Sequence, residues 1–211
     1  EDCWGAWNGY KAAELQSPKT NNKIVMGPWY HGQWSREGSY LGNIRFESNT
    51  SDHFQKNIEI PFFNYHLKNK GTVDGISEAN IFFTGENSWK QFTVWPPENV
   101  EFRNLYSHPG NKISFDISAN GFDEYLSDPA HPVPYTEDVH NGRTREYMTD
   151  DQRFASRRPD VLTYELATLT DDITLAGPVI ADLVTSISTT DADFVVKLID
   201  VFPDDFEYPA A

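Results

Sequence analysis

The chain has 211 residues, enough for one large domain or two small ones, and its 6 Trp, 10 Tyr and 14 Phe exclude a disordered polypeptide. No apolar run approaches the roughly 18–20 residues that a membrane-spanning helix needs, so no membrane span is expected. Acids outnumber bases 32 to 17; the resulting charge of −15 repels phosphate backbones and argues against nucleic acid as a partner. The single cysteine, Cys3, excludes an internal disulfide and a multi-thiolate metal site.

In chain order, residues 1–78 read as mixed α/β. The chain opens on Glu1-Asp2-Cys3-Trp4, with no initiator Met and no charged-then-apolar signal segment, and the expectation is a piece of a longer protein. Trp4, Trp7, Ala12 and Leu15 are spaced for a short helix that stops near Pro18. Lys23-Ile24-Val25-Met26, ended by Gly27-Pro28, has the composition of a short buried strand. A loop rich in Gly and Trp follows to Gly42. Thr50 or Ser51 is then placed to cap a helix with Asp52 in its first turn. Phe54, Ile58, Phe62 and Tyr65 recur every three or four residues along that helix, Pro61 should kink or split it, and Gly71 should end it.

From Ala79 to the end the period shifts to two. Ala79–Thr84, Lys90–Trp95, Arg103–Tyr106, Lys112–Ile117, Val161–Glu165, Ile173–Thr174, Val179–Ser188 and Asp193–Val201 are strand-like, separated by turn clusters such as Gly85-Glu86-Asn87 and Pro109-Gly110-Asn111. Many short strands without intervening helices predict a β-sandwich of the jelly-roll kind over residues 79–211. The strand-poor stretch from Gly121 to Pro159 inside it has the length of a functional or interaction loop.

Chemistry concentrates in Gly27-Pro28-Trp29-Tyr30-His31-Gly32. A histidine just after a buried strand, on a loop with glycine on either side, can project into a cleft and shuttle a proton for a serine nucleophile. The competing reading is a loop histidine packed on Trp29 and Trp34. Glu1 and Asp2 are adjacent acids that suit either a substrate ammonium, the orientation of His31, or an ordinary charge bias at a helix start. Glu37-Gly38-Ser39-Tyr40-Leu41-Gly42 imitates a nucleophile elbow, but a large Glu37 stands where the elbow needs a small residue, and no strand precedes Ser39, so it reads as loop. Asp191-Ala192-Asp193 and Asp204-Asp205 lack the glycine turn and distal Glu of a calcium loop and read as solvated strand ends. Asp150-Asp151 with Arg153, Arg157 and Arg158 reads as a local ion-pair network.

The His31 hexapeptide resembles the catalytic-histidine motif of the cocaine esterase-like serine hydrolases, a group that takes in α-amino-acid ester hydrolases, glutaryl cephalosporin acylases and, more distantly, X-Pro dipeptidyl peptidases. The resemblance continues through Thr84-Gly85-Glu86-Asn87-Ser88-Trp89, Trp95-Pro96-Pro97 and Asp128-Pro129-Ala130-His131-Pro132-Val133-Pro134. It is densest from Asp151 to Leu162 and ends in Thr190–Phe194 and Lys197–Val201. It implies a fold class of mixed α/β and β: residues 1–78 as the C-terminal remnant of an α/β-hydrolase domain, and residues 79–211 as an incomplete jelly-roll β-sandwich.

The resemblance further implies a serine hydrolase acting on α-amino acyl esters or β-lactam acyl amides, with His31 as general base and Glu1 and Asp2 holding a substrate α-amino group. The nucleophilic Ser and the triad Asp would lie upstream of Glu1, so the chain alone is expected to be inactive. No cofactor or metal is implied, and a periplasmic or secreted location is. The expected partners are a small ester or amide substrate and either a further copy of the chain or the remainder of the same protein. An X-Pro dipeptidyl aminopeptidase is the alternative among enzymes; a carbohydrate- or partner-binding jelly-roll module is the alternative of another class.

Overall fold

The computed structural model describes residues 2–117, 120–142 and 144–206. Within these, the chain divides into two compact units, residues 2–99 with 139–150, and residues 100–138 with 151–206. The change of sequence texture at Ala79 therefore falls inside the first unit, whose border lies after Asn99. No helix among the described residues is long and apolar enough to cross a membrane.

The first unit is built on a three-stranded mixed sheet. Strand β1 (Ile24–Met26) pairs in parallel with β4 (Ala79–Phe83), in the register Ile24↔Ala79, Val25↔Asn80 and Met26↔Ile81. Strand β5 (Ser88–Phe92) pairs antiparallel with β4 through the turn at residues 84–87, where Asn87 adopts φ 47. Two parallel strands need a long crossover, and the helical residues 50–68 lie within it. Ala79, Asn80, Ile81 and Phe82 of the central strand are all buried, as expected of a strand covered on both faces.

On one face Ala79 and Ile81 join Ile24 and Tyr10 in the core, flanked by Trp7, Met26, Phe83, Phe92 and Trp95. Helix α1 (Asp2–Gln16) supplies Trp7 and Tyr10 to this core, their rings stacked at 5.8 Å. Of the expected apolar positions Trp4, Trp7, Ala12 and Leu15, Trp7 reaches the core, whereas Trp4 is 73% and Leu15 81% exposed. Positions 7, 10 and 14 share a helix face, and the hydroxyl of Tyr10 and the carboxylate of Glu14 are bonded to Glu78 and Asn22 respectively. Those long-range polar bonds select the stripe. On the other face Phe82 begins an aromatic cluster, edge-on to Phe46 at 5.5 Å and to Trp89 at 5.5 Å; Trp89 in turn meets Trp29 and the ring of His53.

Between β1 and β4, the hairpin of β2 (Tyr40–Leu41) and β3 (Ile44–Arg45) turns on Gly42 at φ 56. Helix α2 (Thr50–Phe54) follows, and its cap is Asn49 rather than Thr50 or Ser51: the Asn49 side chain accepts from the Asp52 N–H at 3.1 Å. Asn is among the best capping residues, and the two hydroxyls are drawn inward instead. One π-helical turn (Gln55–Glu59) then leads into α3 (Ile60–Lys68), with Pro61 at its start. Proline has no N–H to give the previous turn, so the expected interruption appears as a change of winding. Helix α3 ends at Asn69, φ 51, whose N–H returns to the carbonyls of Asn64 and Tyr65. The expected stop at Gly71 is two residues too late, because Asn also tolerates the left-handed conformation.

The second unit holds the hairpin of β6 (Tyr106–His108) and β7 (Lys112–Ser114), turned by Gly110 at φ 84 and Asn111 at φ 65. Among the described residues, a short helix, α4 (Arg153–Ser156), and a single bridge between Lys112 and Glu165 complete its regular structure. The strands expected over Val161–Glu165, Ile173–Thr174, Val179–Ser188 and Asp193–Val201 do not form among the described residues. Alternation makes a segment able to pair, but a strand exists only where another segment supplies the ladder. Val184 and Val195 are exposed there, and no such ladder is described.

Candidate functional site

The candidate site is the loop from Gly27 to Arg36, which leaves the C-terminal end of β1 (Ile24–Met26). Local sequence explains its path. A Cβ on Gly27 would lie 2.5 Å from the Trp29 ring, so only glycine lets that indole fold back beneath the strand end. The Trp29 ring packs on Phe54 at 5.3 Å, and its Nε1 donates to Thr50 Oγ1 at 2.9 Å. Gly32 then takes φ 82, and a 3₁₀ turn over Gln33–Ser35 follows.

His31 lies between these two constraints, exposed, with its ring edge-on to Trp34 at 5.6 Å and 73°. Of the two tryptophans considered as its packing partners, Trp34 touches it, whereas Trp29 belongs to the aromatic cluster. A residue missed in the sequence organises the loop. Gln33 is fully buried; its Oε1 accepts from the Tyr30 N–H at 3.1 Å, and its Nε2 donates to the carbonyls of Glu37 (3.1 Å) and Tyr40 (2.7 Å). Its own carbonyl accepts from Ser51 Oγ at 2.8 Å, and its N–H donates to the Tyr30 carbonyl at 3.0 Å. Both peptide groups of Tyr30 are thereby held one residue before His31. Nothing in the pattern of a Gly- and Trp-rich loop announces this, because the burial of Gln33 comes from segments distant in sequence.

Glu1 and the side chain of Asp2, expected to hold a substrate amine, lie outside the described residues. Ser39 sits just before β2 as a loop residue, its N–H donating to Glu37 Oε1 at 3.0 Å and its carbonyl accepting from the Phe46 N–H. Among the described residues no group of three or more His, Cys, Asp or Glu could hold a metal ion.

Burial shifts the titration of two side chains of the first unit, His53 and Tyr10. Burial holds the His53 imidazole below its usual range; the ring stacks on Trp89 at 5.0 Å and 12°, with the Asn57 amide 3.2 Å from its Nδ1. Burial also pushes the Tyr10 phenol up, and its bond to the Glu78 carboxylate adds to the effect. In the second unit, Asp151 pairs with Arg153, with Arg157 also close enough to favour its charge, and Arg158 bonds to Asp160 at 2.8 and 2.6 Å. Glu137, Asp151, Arg153, Phe154 and Arg157 line a cavity of about 440 Å³ there.

Residues 66–209 match the family described as the X-Pro dipeptidyl-peptidase C-terminal non-catalytic domain. Cocaine esterase from Rhodococcus sp. (strain MB1 Bresler) is 32% identical, over 95% of this chain and 38% of its own length. Among solved structures, an α-amino acid ester hydrolase is 36% identical with a TM-score of 0.74, over 84% of this chain and 31% of that one. An aminopeptidase from a marine sediment archaeon, Thaumarchaeota archaeon, is 36% identical with a TM-score of 0.69, over 77% and 28%. The chain thus spans about a third of the relatives it matches. On residues 66–209, the chain belongs to the family of the X-Pro dipeptidyl-peptidase C-terminal non-catalytic domain, and over most of its length it is similar to an esterase, an ester hydrolase and an aminopeptidase.

Proposed function

We propose that the chain is part of a serine hydrolase that cleaves α-amino acyl esters or β-lactam acyl amides through an acyl-enzyme, with His31 as its general base. In this reading residues 1–78 are the end of an α/β-hydrolase domain, residues 79–211 begin a jelly roll, and the protein acts outside the cytoplasm. The observation that carries it is the placement of His31: an exposed imidazole at the C-terminal end of β1, the end of a strand paired in parallel across a helical crossover. Open α/β sheets bind ligands outside the carboxyl ends of their strands. The imidazole takes the proton of a serine hydroxyl supplied from outside this chain as that oxygen attacks the acyl carbonyl. It returns the proton to the leaving alcohol or amine, then activates the water that releases the acid. The relatives named as an esterase and an ester hydrolase support this chemistry.

Glu1 and Asp2 are proposed to hold the α-ammonium of the substrate. The test is made in the full-length protein. His31→Ala should lower kcat by roughly three to six orders of magnitude with little change in folding. Substitution of Glu1 or Asp2 should impair α-amino esters far more than the matching des-amino esters; equal losses would reject the amine-binding role. An aminopeptidase of the X-Pro type is the second reading, supported by the archaeal aminopeptidase at 36% identity. Turnover of dipeptidyl-prolyl amides in preference to amino esters would favour it.

A further inference from the structure

We propose that Arg145 is a positioning residue for His31, acting through the ring of Tyr30. The proposal rests on His31 being the general base. A base on a loop must be held to within a fraction of an ångström of its productive geometry, and this loop has glycine at 27 and at 32, the latter in the left-handed region. Gln33 holds the peptide groups of Tyr30 but leaves its side chain unspecified. The second restraint comes from residues 139–150, which belong to the same compact unit as the His31 loop although they are far along the chain. The Arg145 guanidinium carbon lies 3.7 Å from the centroid of the Tyr30 ring, a close cation–π stack on the residue immediately before His31.

The arginine is itself anchored. A 3₁₀ turn over Glu146–Met148 follows it, closed by bonds from the N–H groups of Thr149 (2.9 Å) and Asp150 (2.8 Å) to the Glu146 carbonyl. The Arg145 N–H donates to Glu146 Oε2 at 2.9 Å. At the far end of the turn, Thr149 approaches the β2–β3 hairpin so closely that a Cβ on Gly42 would lie 2.2 Å from its Oγ1. The segment is therefore fixed at Gly42 and at Tyr30, on either side of the Gln33 hub. Arg145 is exposed, so its stack on Tyr30 contributes orientation rather than core packing.

The experiment uses the full-length enzyme and an activated nitrophenyl ester, with kcat, KM and the thermal midpoint measured for Arg145→Ala, Arg145→Lys, Tyr30→Leu and the Ala/Leu double variant. Arg145→Ala should lower kcat about tenfold with KM within about twofold and the thermal midpoint unchanged. Arg145→Lys, which keeps the cation, should recover part of the loss, and the double variant should be no slower than the slower single one. Unchanged kcat in Arg145→Ala, or multiplicative losses in the double variant, would overturn the proposal while leaving the base assignment standing. A His31→Ala enzyme that keeps its turnover would instead remove the base, and the positioning role with it.

Discussion

Replacing Gln33 by Leu keeps the approximate volume of a fully buried side chain and deletes three hydrogen bonds, to the Tyr30 N–H and to the Glu37 and Tyr40 carbonyls. Glu37 and Tyr40 are exposed, so water can reach part of what is abandoned. At roughly 1 kcal/mol for each bond the loss comes to about 3 kcal/mol, a large share of the 5–15 kcal/mol typical of a domain. Urea unfolding followed by tryptophan fluorescence should show the midpoint falling by about 1–3 M for an m-value of 1–3 kcal/mol/M. Gln33→Glu is the sharper probe. A carboxylate there would keep the bond from Tyr30 but face two carbonyl oxygens, so its pKa in the folded state must rise above the ordinary value near 4.3. The Glu variant should therefore be most stable in acid and lose stability as pH rises through that raised pKa. A Leu variant within about 0.5 kcal/mol of the parent, or a Glu variant with no pH-dependent deficit, would refute the view that Gln33 holds the His31 loop together.

Tyr10→Phe removes the bond to Glu78 and should cost about 1.5 kcal/mol at neutral pH. Because the folded phenol keeps its proton where the unfolded one loses it, the parent should lose stability above roughly pH 10, and unfolding midpoints from pH 7 to 11 should be flatter for the Phe variant. His53 runs the other way: with its folded pKa depressed by burial, the unfolded chain binds more protons below about pH 6.5. Stability should therefore fall as pH drops from 7.5 to 5. His53→Phe, which keeps a ring on Trp89, should reduce that slope in thermal melts; an unchanged slope would place the titrating group elsewhere.

The parts of the fold that were legible in the sequence depend on neighbours close along the chain. The β-branched run at Ile24–Met26, the helix opening near Thr50 and the tight turns at 84–87 and 109–111 were placed by local stereochemistry and capping, and they form where expected to within a residue or two. Pro61 likewise marked the change of winding before α3 (Ile60–Lys68). His31 was singled out by its glycine-flanked position after a strand, which is also a local property. Glu1 and Asp2 stand out in the sequence only as adjacent acids, and the family resemblance, not any contact, supplies their expected role.

Tertiary structure decided everything that needs a partner from elsewhere in the chain. Helix α1 presents Trp7 and Tyr10 rather than Trp4 and Leu15 because Glu78 and Asn22 bind polar groups on that stripe. Strands β4 and β5 join β1 in one mixed sheet, so the first compact unit runs on past the shift in sequence period at Ala79 to Asn99. The alternating segments after Val161 have the composition of strands, yet they form no ladder among the described residues, since backbone pairing is a property of two segments and never of one. Gln33 and Arg145 carry no local signal for the same reason. A glutamine or an arginine in a polar loop is chemically unremarked until the fold buries the first beneath the hairpin and lays the second on the Tyr30 ring. Local propensity named the histidine; only contacts between residues distant in sequence determine how firmly it is held.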